Sequence, residues 1–338
     1  MKSHAESALV AAGAEVENRL REVLAQKHPG PVGAMLGYFF GFLDVDMQPL
    51  SKSVGGKRFR PSLCLYLAEA YGNRASALDA ALSIELFHTF TLIHDDISDR
   101  DETRRNRPTL WKLFGTDRAM YAGDALLITA NDIAAQSPAV NVLLDAFREV
   151  IEGQYMDFEL ASETLGPNGI AEARYMDMTQ KKTGALIGAA AEAAGIAAGK
   201  GAAECANLRV YGNALGVVFQ LADDYHSVWS SQEETGKDAQ SDIREHKRTL
   251  PLLFAYTHTA EKEKLASLYN LGRQLHSGEI QEALSIMSAT SAREDVLASI
   301  YHHAQKAYAA ADSLVLSSEV QAVLKEVVNA LVPEGAEQ

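Results

Sequence analysis

The stretch from Ile84 to Thr109, IELFHTFTLIHDDISDRDETRRNRPT, constrains the chain more than any other. It begins as an apolar run of helical character and ends in a dense cluster of charge. On an α-helix, at about 100° per residue, His88, Asp95 and Asp99 fall within about 60° of one another. Two carboxylates one turn apart, with Asp96 beside the first, make an oxygen-rich site for a hard divalent cation. Mg²⁺ takes one or two carboxylates, keeps several waters and completes its shell with phosphate oxygens. Arg104 and Arg105 follow at once, and arginine forks fit phosphate bidentately. Acid-rich and Arg-rich helix ends are commonly solvated surface. Here, however, Phe87, Phe90, Leu92 and Ile93 precede the charge and have the character of core. A charged cluster at the end of a buried helix lines a cavity more often than it coats a face. The stretch therefore predicts a metal-bridged diphosphate site.

The 338 residues suffice for a substantial core, in one large domain or two. A net charge of −14 argues against a nucleic-acid partner. It also means that binding phosphate requires metal ions or a focused basic patch, and the stretch above supplies both. Cys64 and Cys205 lie far apart without metal-ligand spacing. They are expected to be reduced packing residues, which points to the cytoplasm. The N-terminal MKSHAESALVAAGAEVENRL lacks a basic segment followed by an apolar one, so no signal peptide is expected. No uninterrupted apolar run approaches the roughly 20 residues that span a bilayer, so no membrane span is expected.

Taken in order, residues 5–27 carry helical periodicity and stop near Pro29–Gly30–Pro31. Residues 32–45 read as a second short helix. Gly55–Gly56 is a turn signal, Lys57, Arg58 and Arg60 cluster after it, and Pro61 suits the first turn of a helix. Backbone N–H groups at a helix start, with cations nearby, form an anion site. Helices are expected from about Ala75 to Ser98, over 118–136, over 139–163 (where Gln154 and Asp157 lie one turn apart) and over 170–199. The last of these holds Lys181, Lys182 and Thr183, with Gly184 allowing close approach inside a small-residue stretch. A second apolar helix ends in Asp223 and Asp224, with Gln220 one turn earlier. A polar loop follows with Lys237, Asp238 and Asp242, then Lys247 and Arg248. One acid-tipped helix is weak evidence. Two, each followed by cations, can clamp several metal ions around one diphosphate. There is no Gly-rich phosphate loop, no nucleophile elbow, no zinc-type spacing and no convincing alternating strand. The reading is all-α: a single large helical bundle, residues 1–338, with a central catalytic cavity.

Five segments in order resemble one family. GGKRFRP (55–61), DDISD (95–99) with RRNRPT (104–109), KTG (182–184), FQLADD (219–224) and GKDAQSDIREHKRTLP (236–251) look like the trans-isoprenyl diphosphate synthases, or polyprenyl synthetases. The motif-bearing core covers about 50–255. The resemblance implies an isoprenoid-synthase type of bundle, usually a homodimer, that joins an allylic diphosphate to isopentenyl diphosphate. By the same carry-over, Asp95 and Asp99 hold Mg²⁺ on the allylic diphosphate with Asp96 in support. Asp223, with Asp224 beside it, holds a further Mg²⁺, for three per active site. Lys182, Thr183 and Lys237 complete the allylic site, with Gln220 near the substrates and Arg104 on the allylic side. Lys57, Arg60, His88 and Arg105 take the diphosphate of isopentenyl diphosphate, and Lys247 is a further phosphate contact.

The chain departs from the family pattern at Ser227, where a third aspartate is common, and at Asn106, where glycine is usual. The positions four and five before the first aspartate set product length in the family. Here they are Thr91 and Phe90, with Phe87 one turn further back. One aromatic with a small neighbour resembles synthases making C20 geranylgeranyl diphosphate more than those making C15 farnesyl diphosphate. A class I terpene cyclase would need the aspartates and magnesium but not a second diphosphate site. A non-catalytic partner subunit is favoured only by Ser227.

Overall fold

The computed structural model describes residues 4–166, 170–230 and 240–336. These divide into two compact units, Met1–Phe147 with Ala189–Ala206, and Arg148–Gly188 with Asn207–Gln338. The expected all-α class is borne out, since the only strands among the described residues are two of two residues each.

The first unit contains α1 (His4–Lys27), α2 (Pro31–Phe39), α3 (Phe59–Ala70), a 3₁₀ turn (Arg74–Ala77) and α4 (Leu78–Ser98). These are followed by β1 (Thr103–Arg104), β2 (Arg107–Pro108), α5 (Leu110–Phe114) and α6 (Thr116–Ala134). Helix α4 is the middle of this unit, packing along α6 and against α3, which in turn lies on α1. Its apolar residues are not confined to one stripe. Ala80, Ala81, Leu82, Ile84, Leu86, Phe87, Phe90 and Ile93 are all buried, as a helix surrounded by others requires. By length and composition the stretch Arg74–Ser98 is apolar enough to cross a membrane, but 67% of its apolar window is buried inside the protein. Gly123 on α6 allows the closest approach, because a Cβ there would sit 2.4 Å from the ring of His94.

The helix expected over 32–45 is shorter. It ends at Phe39, and Gly41 turns the chain with φ +80. A side chain at Gly41 would strike the backbone of Gly55 at 2.4 Å, so the two loops lie against each other. Leu43 and Pro49 then form an isolated antiparallel bridge.

The second unit takes α7 (Val140–Ser162) from Arg148 onward, α8 (Glu172–Thr179), a π-helical turn (Gln180–Gly184), the start of α9 (Ala185–Ala197) as far as Gly188, and α10 (Ala202–Trp229) from Asn207 onward, the rest of α9 falling in the first unit. Beyond these come α11 (Ser241–Arg244), α12 (Leu250–His258), α13 (Lys262–Tyr269), α14 (Ser277–Ser288), α15 (Ala292–Ser313) and α16 (Ser318–Asn329). The helix expected over 170–199 is thus interrupted by the π turn, which falls on Lys181, Lys182 and Thr183. Leu252, Tyr256, Leu265, Ile280 and Met287 share a core cluster with Val228 of α10 and Ile243 of α11.

Glycines bring α9 and α10 into backbone contact. A Cβ at Gly216 would lie 2.7 Å from Gly184 Cα, and one at Gly212 would lie 2.5 Å from Ile187 O and 2.7 Å from Gly188 Cα. The obstructing atoms are main chain and cannot rotate away. Gly212→Ala is therefore predicted to destabilise the protein by about 1–3 kcal/mol through overpacking. Urea unfolding would check this, and an unchanged midpoint would mean that the helices can separate freely.

Candidate active site

In the first unit, the cations expected to bind an anion are gathered by α3, α4 and the hairpin after α4. Arg60 sits in the first turn of α3 and donates from Nη1 to His88 Nε2 at 3.1 Å. Because arginine only donates, His88 accepts through Nε2 and carries its proton on Nδ1. Burial, then the charges of Arg60, Arg105 and Arg104, hold the imidazole well below its ordinary pKa of 6.5, so it is neutral at pH 7. Burial lowers the Arg60 pKa to about 10, still charged at neutral pH. Lys57 is exposed in the loop before α3. Arg105 and Asn106 form the two central residues of the β1–β2 hairpin, with φ 54 and 59. That turn needs left-handed backbone twice, which asparagine tolerates, and this accounts for Asn106 where glycine is usual. The turn brings Arg105 against the glycine loop, where a Cβ on Gly56 would lie 2.5 Å from Arg105 Nη2.

The acids close α4. Asp95 is half-buried and Asp99 exposed, whereas Asp96 is buried and faces inward. Arg104 Nε donates to Asp96 Oδ1 at 2.6 Å, while Asp96 Oδ2 is buried without a hydrogen-bond partner. Burial outweighs the pull of Arg104 and lifts the Asp96 pKa to about 6. Asp96 therefore anchors Arg104, leaving Asp95 and Asp99 as the outward donors. Further back, Phe87 is fully buried and stacks on Phe147 with centroids 3.9 Å apart. Phe90 tilts against both Phe87 and His94. Thr91 is half-buried, its hydroxyl turned back to His88 O at 2.8 Å.

The second unit holds the remaining residues. Gly153 of α7 lets the π turn approach, since a Cβ there would fall 2.3 Å from Lys182 N. One turn later Asp157 Oδ2 accepts from Lys182 Nζ at 2.5 Å. Thr183 Oγ1 donates to Gln220 Oε1 at 2.9 Å, and Gln220 Nε2 donates to Asp224 Oδ1 at 2.9 Å. Tyr175 Oη donates to the other oxygen of Asp224. Asp224 is only 2% exposed, and burial, followed by the charge of Asp242, pushes its pKa up to about 8. It is a buried member of this network, while Asp223 is half-buried on the same helix. Ser227 donates to Asp242 Oδ2 at 2.5 Å, and Lys247 Nζ lies 3.6 Å from Asp242 Oδ1. Lys237 and Asp238 lie outside the described residues.

No group of three His, Cys, Asp or Glu side chains among the described residues forms a metal cage by itself. The donor set fits the other kind of site, in which one or two carboxylates share a hard cation with water and phosphate. Sequence reasoning passed over three partners. Tyr175 gave no signal. Asp157 was placed one turn from Gln154 but without a role. Glu85, which receives Arg58 in a buried pair, gives no signal beyond a charge inside an apolar run.

A family model described as polyprenyl synthetase matches residues 46–287. The chain belongs to the polyprenyl synthetase family. It is 39% identical over 238 residues to the (2E,6E)-farnesyl diphosphate synthase of Mycobacterium bovis, a match covering 68% of this chain and 64% of that protein's length. The crystal structure of a polyprenyl synthetase from Streptomyces coelicolor A3(2) superposes with TM-score 0.87 at 27% identity, over 97% of this chain and 99% of that one. The geranylgeranyl pyrophosphate synthase of Corynebacterium glutamicum, solved with isoprenyl diphosphate and magnesium, gives TM-score 0.80 at 27% identity, over 96% and 99%. That neighbouring structure holds magnesium, and the carboxylates at the end of α4 are of the kind that hold such an ion.

Neutral His88 has a consequence for acid stability. Its folded pKa is lowered, so below about 6.5 the unfolded chain takes up a proton that the folded site refuses. The His88 contribution is therefore constant above about pH 6.5 and falls as the pH drops below it, by at most about 1.4 kcal/mol per pH unit. Urea titrations at pH 7.5 and 5.5 should show a smaller acid loss in His88→Gln than in the parent. Equal losses would assign the effect to another group.

Proposed function

We propose that this chain is a magnesium-dependent trans-prenyltransferase that condenses isopentenyl diphosphate with an allylic diphosphate, with geranylgeranyl diphosphate as product. The observation that carries the reading is the layout of α4. His88, bonded to Arg60, and the acids Asp95 and Asp99, the latter at the helix's C-cap, occupy one side of α4, with Asp95 about 10 Å and Asp99 about 16 Å beyond His88 along the axis. One diphosphate on cations and another on metal-binding carboxylates is what a condensation of two diphosphates needs. A terpene cyclase would have no use for the first.

Lys57, Arg60, His88 and Arg105 are assigned to the diphosphate of isopentenyl diphosphate. Asp95 and Asp99 would hold Mg²⁺ at the allylic diphosphate, Asp223 would hold a further ion, and three ions per active site are expected. Bound Mg²⁺ supplies Lewis-acid stabilisation of the departing diphosphate. Arg104, which bonds Asp96, and Lys182, which bonds Asp157, are the cations assigned to the allylic diphosphate. Thr183 and Gln220 orient the substrate within the network that ends on Asp224. Lys237 is assigned to the same diphosphate and Lys247 to a further phosphate contact. The alkene of isopentenyl diphosphate then attacks the allylic carbon, and a proton leaves to the released diphosphate, so no protein base is assigned. Helix dipoles and a dry site protect the cationic carbon from water.

Phe90, backed by Phe87, with Thr91 beside it, is assigned as the floor that stops chain growth. The name of the mycobacterial relative favours the C15 alternative, whereas that of the Corynebacterium enzyme favours C20. A cytoplasmic homodimer of one catalytic domain completes the proposal.

The deciding experiment supplies purified protein with Mg²⁺, isopentenyl diphosphate and dimethylallyl, geranyl or farnesyl diphosphate in turn. Linear C20 diphosphate is expected. Cyclic hydrocarbon from an allylic diphosphate alone would replace the reading with a cyclase. In the same assay Phe90→Ala should lengthen the product, and an unchanged profile would remove Phe90 as the floor. Asp95→Ala should cost at least about 3–4 kcal/mol of transition-state stabilisation, a loss of at least roughly 150- to 900-fold in turnover. Near-normal turnover would overturn the metal assignment.

A further inference from the structure

We propose that the buried Arg58–Glu85 ion pair is the positioning device of the isopentenyl diphosphate site, setting where Lys57 and Arg60 present their cations without itself touching substrate. The inference rests on the assignment of Lys57, Arg60, His88 and Arg105 to a diphosphate. Arg58 stands between the two cations in sequence and caps α3 with left-handed backbone, φ 52 and ψ 36. Its guanidinium turns into the protein. Nη1 donates to Glu85 Oε1 at 2.6 Å and Nη2 to Phe40 O at 2.9 Å, and the two side chains are 4% and 5% exposed.

The glycine loop is moulded around that guanidinium. A Cβ on Gly55 would lie 2.5 Å from Arg58 Nη2 and 2.4 Å from Phe40 O. On the other side, a Cβ on Gly56 would meet Arg105 Nη2. The loop backbone therefore has one course, held between the inward-facing arginine and the outward-facing one. Glu85 lies one helical turn before His88 on α4, so the two residues share a face. Glu85 receives Arg58 and His88 receives Arg60, which fixes the start of α3 to α4 at two successive points.

A purely stabilising role is a poor account of this pair. Two charges taken out of water lose solvation that their attraction repays incompletely, and apolar replacement of both partners is often neutral for stability. What such a replacement would lose is the two-pronged geometry that places the left-handed residue and its neighbours. The double variant Arg58→Met/Glu85→Met separates the two roles, and Arg58→Lys provides a second variant that keeps the buried charge but not the fork.

The experiment measures binding of isopentenyl diphosphate and of inorganic pyrophosphate by calorimetry on the full chain, with KM for each substrate and the thermal midpoint alongside. Positioning predicts that the double variant keeps its midpoint within a few degrees and binds isopentenyl diphosphate at least tenfold more weakly. KM for the allylic substrate should stay within about twofold. Arg58→Lys should show the same selective weakening, by about threefold or more, even if the double variant does not fold. Folded variants whose affinity and KM for isopentenyl diphosphate match the parent would overturn the positioning role alone. Failure of the parent protein to bind either ligand would overturn the anion-site assignment and this inference with it.

Discussion

The rigidity of α4 is the constraint on which the first unit depends. An α-helix advances about 1.5 Å per residue, and a buried one has little freedom to bend or fray. Groups placed on α4 therefore keep their separations whatever happens in the loops. Glu85, His88 and Asp95 sit at successive levels along it, and Asp99 caps its end. Glu85 and His88 receive the arginines that open α3. Asp96, turned inward between the two outward acids, receives Arg104 from the hairpin. The mobile parts of a charged site, its loops and long side chains, are thus each referred to one stiff element. That element is held by α3 and α6.

Burial explains which charges act and which support. Asp96 and Asp224 each sit beside a more exposed aspartate. Each is driven toward the protonated form by loss of water, with pKa values of about 6 and 8. A carboxyl in that condition is a poor first ligand for a metal and a good fixed partner for a hydrogen-bond network. Asp96 aims an arginine. Asp224 gathers Gln220 and Tyr175, and through Gln220 the hydroxyl of Thr183. The two members of each doubled pair thus differ, the buried one bonded to its neighbours and the other more exposed.

The fold class and the charged residues were legible because both rest on local signals. Helical periodicity, paired acids and adjacent cations lie within single stretches of sequence. The turn signal at Gly55–Gly56 and the close approach at Gly184 were legible for the same reason. What remained hidden depends on contacts between distant residues or on subtle backbone choices. The helix expected over 32–45 stops early because Gly41 packs on Gly55, a contact no local pattern encodes. The π turn over Gln180–Gly184 is invisible to a 3.6-residue template, yet it decides how Lys182 meets Asp157. Glu85 was visible as a charge in an apolar helix, but its partner lies 27 residues earlier and could not be named.

Ser227 shows how a departure from a motif can be compensated by geometry. An aspartate at this position would bring a third carboxylate beside that of Asp242, itself buried and raised in pKa chiefly by loss of water. Two carboxylates at hydrogen-bond distance need a shared proton or a cation between them. Serine removes the need, because its hydroxyl donates to Asp242 Oδ2 at 2.5 Å. The same hydroxyl also lies 2.8 Å from Asp224 O, one turn back on α10. Asp242 then has a donor on one oxygen and the ammonium of Lys247 3.6 Å from the other. The acid lost from the helix is thus matched by one from the following segment, held in place by the residue that replaced it. Asp223 stays half-buried on the same helix, one turn before Ser227.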